Sequence, residues 1–568
     1  MFWFVYYFEK LSKVFPPLRK LHFRFLRKCI RGHYILRKNG QLHVPAELKR
    51  KLEETRVLPD GKTLSPYIYG SIATDHDLIV RQFLLSRYFC PYSRFNYFFL
   101  AAVGSTTKDF RFPLPLSWRR LMNDANYPSN TRMNSIIWWL EIVFHWIRGQ
   151  LRIFSIFFGS LWALITRSNW PSNYAFILEA FEEMLPKEGY PIPERNFFNW
   201  YATWKEREAS ISLLVHTVQT ARTAKVSGIT VQSVKGDLPF LPSYSSLGKF
   251  AFWGVSSGIL SLGKMMTGKW WDALLLAEGA KAAMVRYNPK ERLAREYFFM
   301  YDWTYRPIWT YWAESMGSKI HFYFYSTNSE QFKTRSGYIP LLFDWRPINW
   351  PSYVVWDRYQ KDFIARHSRT EPQFHIVGPL HLSGRVPSEI YYKERSLAVF
   401  DVMPMRLSLY ATFGLSNEYY VRSTCIKFVQ DIAEIASELN CHVYLKSKRM
   451  VSRRVDASYR YLLNNLQRHS NVTVLSGDYP AETLIRKTAI SVSMPWTSTA
   501  LMAEYFAKPA CYYDSAETLL HDDRGAHGIP VCIGKNELRH YLMTLLDETA
   551  AHGTAVDDSK RHGLPPIH

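Results

Sequence analysis

The sequence predicts an α/β protein built on parallel sheets and preceded by a helical region that lies against a membrane surface. Three observations predict it. Residues 391–545 alternate short apolar runs with helical patterns, joined by brief connections, as a parallel sheet covered by helices requires. Within that block, Ser493-Met494-Pro495-Trp496-Thr497-Ser498-Thr499-Ala500 leaves an apolar run, 489–492, and opens a helix. Hydroxyls and free backbone N–H groups gather there, where an anion such as a nucleotide phosphate can bind. The first 170 residues hold two basic, aromatic segments too interrupted to cross a bilayer.

Length and composition bound the rest. At 568 residues the chain has room for two or three domains. With 47% hydrophobic and 21% charged residues it is globular, not disordered. A formal net charge of +22 seeks anions: nucleic acid, anionic lipid or phosphorylated substrates. The six cysteines (Cys29, Cys90, Cys425, Cys441, Cys511, Cys532) form no C-x-x-C pair, which excludes a zinc site and a disulfide framework and suits a reducing compartment. The apolar run 2–8 stops at Glu9 and Lys10 with no small-residue cleavage site, so no cleavable export signal is expected.

Residues 1–40 carry ten Lys or Arg and one acidic residue, interleaved with aromatics as in Leu21-His22-Phe23-Arg24-Phe25-Leu26-Arg27-Lys28. Cations beside aromatic anchors suit an anionic headgroup layer; the plainer reading is a packed helix with a solvated basic face. Residues 41–168 read as helical and include 136–165, where Glu141, His145, Arg148 and Arg152 interrupt an apolar run and Trp138, Trp139, Trp146 and Trp162 suit an interfacial belt. An in-plane or re-entrant helical element is expected, against the alternative of a buried helix pair. Residues 169–390 form the next domain. There 247–287 reads as a long helix with Gly and Ser breaks, ended by Asn288-Pro289, 292–314 as partly helical, and 319–325 as a strand. Short strands are expected at 354–356 and 375–377. The domain 391–545 has strand candidates at 397–402, 441–445, 472–475, 489–492, 510–513 and 531–533. Helical patterns fall at 419–439, 458–469, 481–487 and 500–507, and 546–568 is expected to be a flexible tail.

In such a sheet the ligand sits beyond the carboxyl ends of the strands. Lys446-Ser447-Lys448-Arg449 follows one strand candidate and Pro495-Trp496-Thr497-Ser498-Thr499 another. If those strands are parallel neighbours, cations and a hydroxyl-lined helix start face one crevice and can hold a phosphate by charge-assisted hydrogen bonds. Asp514, after 510–513, would bind a ribose hydroxyl or cap its turn. Asp75-His76-Asp77 has the D-x-D form of a metal-nucleotide site but lies far from this block and reads as a loop or helix cap; His521-Asp522-Asp523 with His527 matches no strong metal motif. No metal or cofactor is expected.

Several ordered motifs resemble the bacterial polysaccharide-biosynthesis family named for a Pro-Phe-Thr-Ser motif. Pro495-Trp496-Thr497-Ser498 matches it with Trp for Phe. Phe400-Asp401-Val402-Met403-Pro404, Leu445-Lys446-Ser447-Lys448-Arg449 and Lys508-Pro509-Ala510-Cys511-Tyr512-Tyr513-Asp514 extend it, as do Arg306-Pro307-Ile308-Trp309-Thr310-Tyr311 and Phe322-Tyr323-Phe324-Tyr325-Ser326-Thr327-Asn328. The resemblance covers roughly residues 290–535 and implies a glycosyltransferase-like GT-B architecture, a pair of Rossmann-like domains. More distantly it is similar to transferases that use CMP-activated nonulosonic sugars, although Lys446-Ser447-Lys448 stands where those carry His-Pro.

The resemblance implies a nucleotide-sugar donor and a saccharide or glycolipid acceptor. Donor phosphate would meet Lys446, Lys448, Arg449, Thr497, Ser498 and Thr499, and the nucleoside Pro495, Trp496 and Asp514. Glu314, Asp302 and Asp237 are candidates for the base that takes the acceptor proton. The expected location is the cytoplasmic face of the plasma membrane, peripheral or monotopic, with an anionic membrane surface as partner. A non-catalytic assembly scaffold is the alternative. A nucleic-acid-binding protein is the weaker one, because no nucleic-acid module is present and the cations crowd beside membrane-type aromatics.

Overall fold

The computed structural model describes residues 16–552 except 90–93, 107–108, 130–131, 181, 186–195, 205–206, 208–209, 219–222, 325, 328–329, 336, 339–344, 381–389, 407–418, 449–451, 453 and 522–523. Arg449, the run 2–8, Cys90, Asp522, Asp523 and the tail beyond 552 lie outside the described residues. The chain divides into two compact units. The first comprises Met1–Tyr325, Leu341–Gly384 and Ser408–Ser416; the second comprises Ser326–Pro340, Arg385–Leu407 and Asn417–His568. The regions expected at 1–40, 41–168 and 169–390 fall mainly in the first unit, and 326–340 goes to the second.

The first unit starts with helices. Helix α1 (Pro16–Lys38) carries the basic aromatic segment, α2 (His76–Phe89) follows, and α3 (Arg94–Val103) crosses α1 at two glycines. A Cβ on Gly32 would stand 2.0 Å from the Leu100 carbonyl oxygen, and one on Gly104 2.0 Å from that of Lys28. Backbones can approach this closely only where both side chains are missing. Asp75-His76-Asp77 opens α2: Asp77 accepts from Val57 N at 2.7 Å and Leu58 N at 2.8 Å and pairs with Arg81, so its carboxylate is spent on the fold.

Helix α4 (Arg132–Ile165) is one unbroken helix of 34 residues. At 1.5 Å per residue it runs about 51 Å. Helix α5 (Tyr244–Met266) and helix α6 (Leu276–Arg286) pack on it. The long helix expected over 247–287 is broken between them, where Gly268 has φ +83° and the short helix Trp271–Leu274 intervenes. Glycines bring the helices together: a Cβ on Gly149 would lie 2.6 Å from Leu276, and one on Gly254 2.7 Å from Ile153. The other faces of α4 and α5 are left bare. Leu151, Phe154, Phe158 and Trp162 of α4 are 56–69% exposed, and Phe252, Val255, Ile259 and Met266 of α5 are 65–80% exposed. Among the described residues no helix is long and apolar enough to cross a membrane.

The first sheet has eight strands: β1 (Tyr174–Ile177), β2 (Leu213–His216), β3 (Ala224–Val226), β4 (Ile229–Ser233), β5 (Glu296–Phe299) and β6 (Lys319–Tyr323) are six of them. Two-residue strands β7 (Lys333–Thr334) and β8 (Gly337–Tyr338) form a hairpin in the second unit, and β9 (Ser352–Val355) and β10 (Gln373–Ile376) complete the first sheet. Its order is β10-β9-β6-β5-β1-β2-β4-β3, parallel except for β3. Strands buried on both faces, such as Tyr-Ala-Phe-Ile in β1 and Glu-Tyr-Phe-Phe in β5, leave no alternation to read. That is why β5 lies inside 292–314, a stretch expected to be partly helical; only helix α7 (Ile308–Ser315) fulfils that pattern. The chain builds to one side of β1, then returns to build on the other. The order reverses between β1 and β5, where a crevice opens at the carboxyl ends.

The second unit holds a fully parallel sheet. Strands β11 (Ser396–Asp401), β12 (His442–Ser447), β13 (Val472–Leu475), β14 (Ile490–Ser493), β15 (Ala510–Asp514) and β16 (Val531–Ile533) match the six expected strands within a residue or two. Their order is β13-β12-β11-β14-β15-β16, the doubly wound arrangement with its switch between β11 and β14. Helix α8 (Arg422–Glu438), helix α9 (Ala457–Leu466) and helix α10 (Thr499–Tyr505) cover it, each near its expected place. The last helix, Gly534–His552, extends into the expected tail.

Candidate active site

The first unit carries a cavity of about 440 Å³ at the β1/β5 reversal. Arg87, Glu179, Asp237, Glu278, Lys281 and Asp302 line it. Four carboxyls therefore face two cations. Each polar wall comes from a strand end or a helix: Glu179 lies two residues past β1, Asp302 three past β5, Asp237 four past β4, and Glu278 and Lys281 on α6.

Glu179 was not among the sequence candidates. It sits in the left-handed region, φ +64°, a conformation a non-glycine residue adopts at a cost. Its Oε2 accepts from Tyr301 N at 2.9 Å, which ties the end of β1 to the end of β5. Burial of the carboxyl, with the Asp302 charge beside it, holds its pKa above the usual carboxylate range, although the side chain is reachable by solvent. Asp302 is raised too, by burial first, against the Ser86 hydroxyl and Tyr305 N that donate to it. Two carboxyls of raised pKa lining one cavity are what general acid–base chemistry near neutral pH needs.

The other two candidate bases differ. Asp237 lines the cavity, but Lys281 pairs with it and outweighs burial, holding its pKa below the ordinary value. It is a fixed anion. Glu314 does not line the cavity; it closes α7 and pairs with the buried Arg306 guanidinium. The signal that would have located Glu179 was weak: a carboxylate directly after Tyr174-Ala175-Phe176-Ile177-Leu178, an apolar run too short to be told from a helix segment.

In the second unit, Lys446 and the Pro495–Thr499 turn are not on neighbouring strands as expected. Strand β11 stands between β12 and β14. Phe400 is in register with both Lys446 and Ser493, so those two residues flank it, about 10 Å apart at two strand spacings. All three strands still end on one edge. There Asp401 is buried, accepts from Tyr459 and Ser447, and is pushed up to about 6 by burial, against Tyr459, Ser447 and Lys446. Lys446 is half-buried, and burial lowers its pKa against the pull of Asp401 and Asp478. Lys448 is exposed on the same edge.

The turn itself is heavily fastened. Thr497 Oγ1 donates to the Met494 carbonyl at 2.6 Å, Ser493 and Thr499 share a 2.8 Å hydroxyl contact, and Pro495 is buried with its carbonyl held by Tyr420. Ser498 precedes α10 without a capping bond from its side chain. Trp496 has φ +60°, a genuine outlier for so bulky a residue, and packs edge-on against Tyr419 at 4.7 Å and Phe332 at 5.0 Å. Asp514 is wholly buried and accepts from Tyr419 OH at 2.8 Å, Ala516 N at 3.0 Å and the amides of Thr518 and Leu519 at 2.7 Å each. Its carboxylate fastens the turn after β15; of the two roles weighed for it, the structure supplies the cap. Among the described residues no group of three metal-ligating side chains occurs, and His521 instead pairs with Glu537 at 2.9 Å.

Residues 260–542 match a family model described as "Polysaccharide biosynthesis PFTS motif protein". No curated protein matches the chain. Among solved structures, the chain is similar to trehalose-6-phosphate synthase OtsA at 9% identity, over 67% of this chain and 92% of that one, with a TM-score of 0.32. It is similar to the spinosyn forosaminyltransferase SpnP at 11% identity over 67% and 92%, TM-score 0.33. It is also similar to a UDP-GlcNAc 2-epimerase from Methanocaldococcus jannaschii at 9% identity over 66% and 92%, TM-score 0.35.

Proposed function

We propose a sugar transfer for this chain, from the premise that it belongs to the PFTS-motif family of polysaccharide-biosynthesis proteins. The reaction moves a sugar from a nucleotide donor to a saccharide or glycolipid acceptor, on a GT-B plan in which each unit contributes one α/β sheet. The observation that carries the proposal is the Glu179–Asp302 pair in the cavity at the β1/β5 reversal.

The chemistry assigns roles. The acceptor hydroxyl loses its proton to Glu179, the more accessible carboxyl, whose pKa is held up by burial first and by the Asp302 charge in addition. The acceptor oxygen bonds to the anomeric carbon as the carbon–oxygen bond to phosphate breaks, and the electron pair leaves on the phosphate. In this reading Lys446 and Lys448, with the Ser498 hydroxyl, meet that charge, which their position at the carboxyl edge of the second sheet supports; Arg449 is kept in the same role from the family pattern. A CMP-activated nonulosonic acid is one donor this reading admits. The bare apolar faces of α4 and α5 support a monotopic protein on the cytoplasmic membrane face, and the +22 charge favours an anionic surface.

A thermal-shift series with CMP, UDP, GDP and their sugars tests the donor. One nucleotide should raise the melting temperature by mass action, and Lys446→Ala with Ser498→Ala should abolish that rise. With the responsive donor sugar, Glu179→Gln should retain the shift but lose release of free nucleotide. No shift with any nucleotide, or full turnover by Glu179→Gln, overturns the proposal.

A further inference from the structure

We infer that the acceptor is a saccharide carried on a lipid phosphate or diphosphate, and that a second cavity of the first unit holds its phosphate. The inference deepens the sugar-transfer reading and rests on it.

The second cavity, about 250 Å³, is lined by Arg152 and Ser155 of α4, Lys235, Gly236 and Asp237 after β4, and Lys281 of α6. Three cations here face one carboxylate. Asp237 is already matched by Lys281, with the Arg152 charge adding to the pull that keeps it ionised. Arg152 and Lys235 have no hydrogen-bond or ion-pair partner among the described residues, so two positive charges are left to a ligand. That excess in a cavity of this size suits a phosphate or diphosphate, which takes charge-assisted hydrogen bonds from both.

Two neighbours decide what the phosphate is attached to. On one side, Gly236, Asp237 and Lys281 form a wall shared with the acidic cavity that holds Glu179 and Asp302. On the other side is α4. Arg152 and Ser155 alternate along it with Leu151, Phe154 and Phe158, which are 56–63% exposed. The molecule thus offers an apolar face, then a pair of unmatched cations, then a carboxyl pair. A lipid-linked sugar has the same sequence of parts: hydrocarbon, phosphate, saccharide. The hydrocarbon stays in the bilayer against α4 and α5, the phosphate enters the basic cavity, and the sugar hydroxyl reaches Glu179.

The wild-type chain and two variants should be floated with phosphatidylcholine vesicles containing a polyprenyl phosphate, or phosphatidylglycerol at equal charge. Wild type should bind the polyprenyl phosphate vesicles at least tenfold more tightly than the phosphatidylglycerol ones. Arg152→Gln with Lys235→Gln should erase that preference, because two charge-assisted contacts are gone. Phe154→Asp with Phe158→Asp should weaken binding to every vesicle. Pyrophosphate added to wild type should compete with the polyprenyl phosphate. Equal binding of both vesicle types by wild type, an undiminished preference in the double cation variant, or no competition by pyrophosphate would overturn the inference. No donor nucleotide enters these measurements. Failure of the nucleotide series with this preference intact would therefore remove the sugar transfer and leave the lipid-phosphate site standing.

Discussion

Replacing Gly32 with alanine should unseat α1, although the same change in an open helix is stabilising. Alanine favours a helix over glycine by about 1 kcal/mol. At Gly32 the added carbon would stand 2.0 Å from the Leu100 carbonyl oxygen and 2.8 Å from its carbon. Carbon and oxygen rest at about 3.3 Å or more, so α1 and α3 must part by roughly 1.3 Å. The obstacle is backbone, and no rotamer change relieves it. The parting also loosens the buried contacts of Cys29, Leu36, Phe99 and Leu100. Overpacking of this kind costs about 3 kcal/mol, leaving a net loss of about 2 kcal/mol after the helix gain. Gly263 of α5 is the control, since nothing lies within 4 Å of the position its Cβ would take. Gly263→Ala should gain about 1 kcal/mol. Calorimetric melting and limited trypsin digestion read both effects, because Arg24, Arg27, Lys28, Arg31 and Arg37 make α1 a dense target once it loosens. A Gly32→Ala chain that melts higher, with α1 as resistant as in wild type, would refute the close crossing.

Two further outcomes follow from buried carboxyls of the second unit. Asp401, raised from an ordinary 3.8 to about 6, contributes fully to stability below pH 3.8 and loses that contribution as pH rises through 6. The loss levels off near 3 kcal/mol, so Asp401→Asn should gain on wild type by about that much between pH 4 and pH 7. Hydrogen exchange in β11 and β12, measured as the difference between the two chains at each pH, checks it; a flat difference would contradict the buried charge. Asp514→Ala should strip four donors of their acceptor and cost about 3 kcal/mol or more, lowering the melting temperature by several degrees in the absence of any nucleotide. An unchanged melting temperature with lost nucleotide binding would instead give Asp514 the ligand role.

The second unit was legible because its strands are separated by amphipathic helices of different period. Strands β11 to β16 fall where apolar runs of three to six residues end in turn residues, and the helix of 419–439 needed only its ends trimmed to Arg422–Glu438. Strand order was not legible. Nothing local in Tyr444 or Val492 says that β11 will lie between them, because order is set by which faces helices cover. The first unit was harder. Strands β1, β2 and β5 are four residues each and buried along nearly their whole length, so the period that separates strand from helix is absent and they were missed; β3 and β4, of three and five residues, were missed as well. The site inherited that gap. Asp302 and Glu314 were named because they precede the strand at 319, and Asp237 as a third candidate; Asp302 and Asp237 reach the cavity, Glu314 is held by Arg306, and Glu179 depended on a strand not seen. Helix α4 was legible as an apolar helical element from its hydrophobic run and its tryptophans. The exposed apolar face of α5 was hidden in a run whose glycines read as breaks, yet Gly254 and Gly258 are contact points with α4.

The hairpin β7–β8 has a practical consequence for anyone who would dissect the chain. Residues 326–340 belong to the second unit although the first unit's sequence resumes after them. Phe332 packs on Trp496 and Tyr512, Leu520 N reaches the Lys333 carbonyl at 2.9 Å, and Arg524 grips Glu330 with two bonds. A fragment beginning at residue 385 would leave that hairpin behind and expose an aromatic scar beside the Pro-Trp-Thr-Ser turn. Such a fragment should come out sticky and insoluble however well its sheet is formed. A workable excision has to graft 326–340 onto the new amino terminus, through a linker long enough to let Phe332 find its seat.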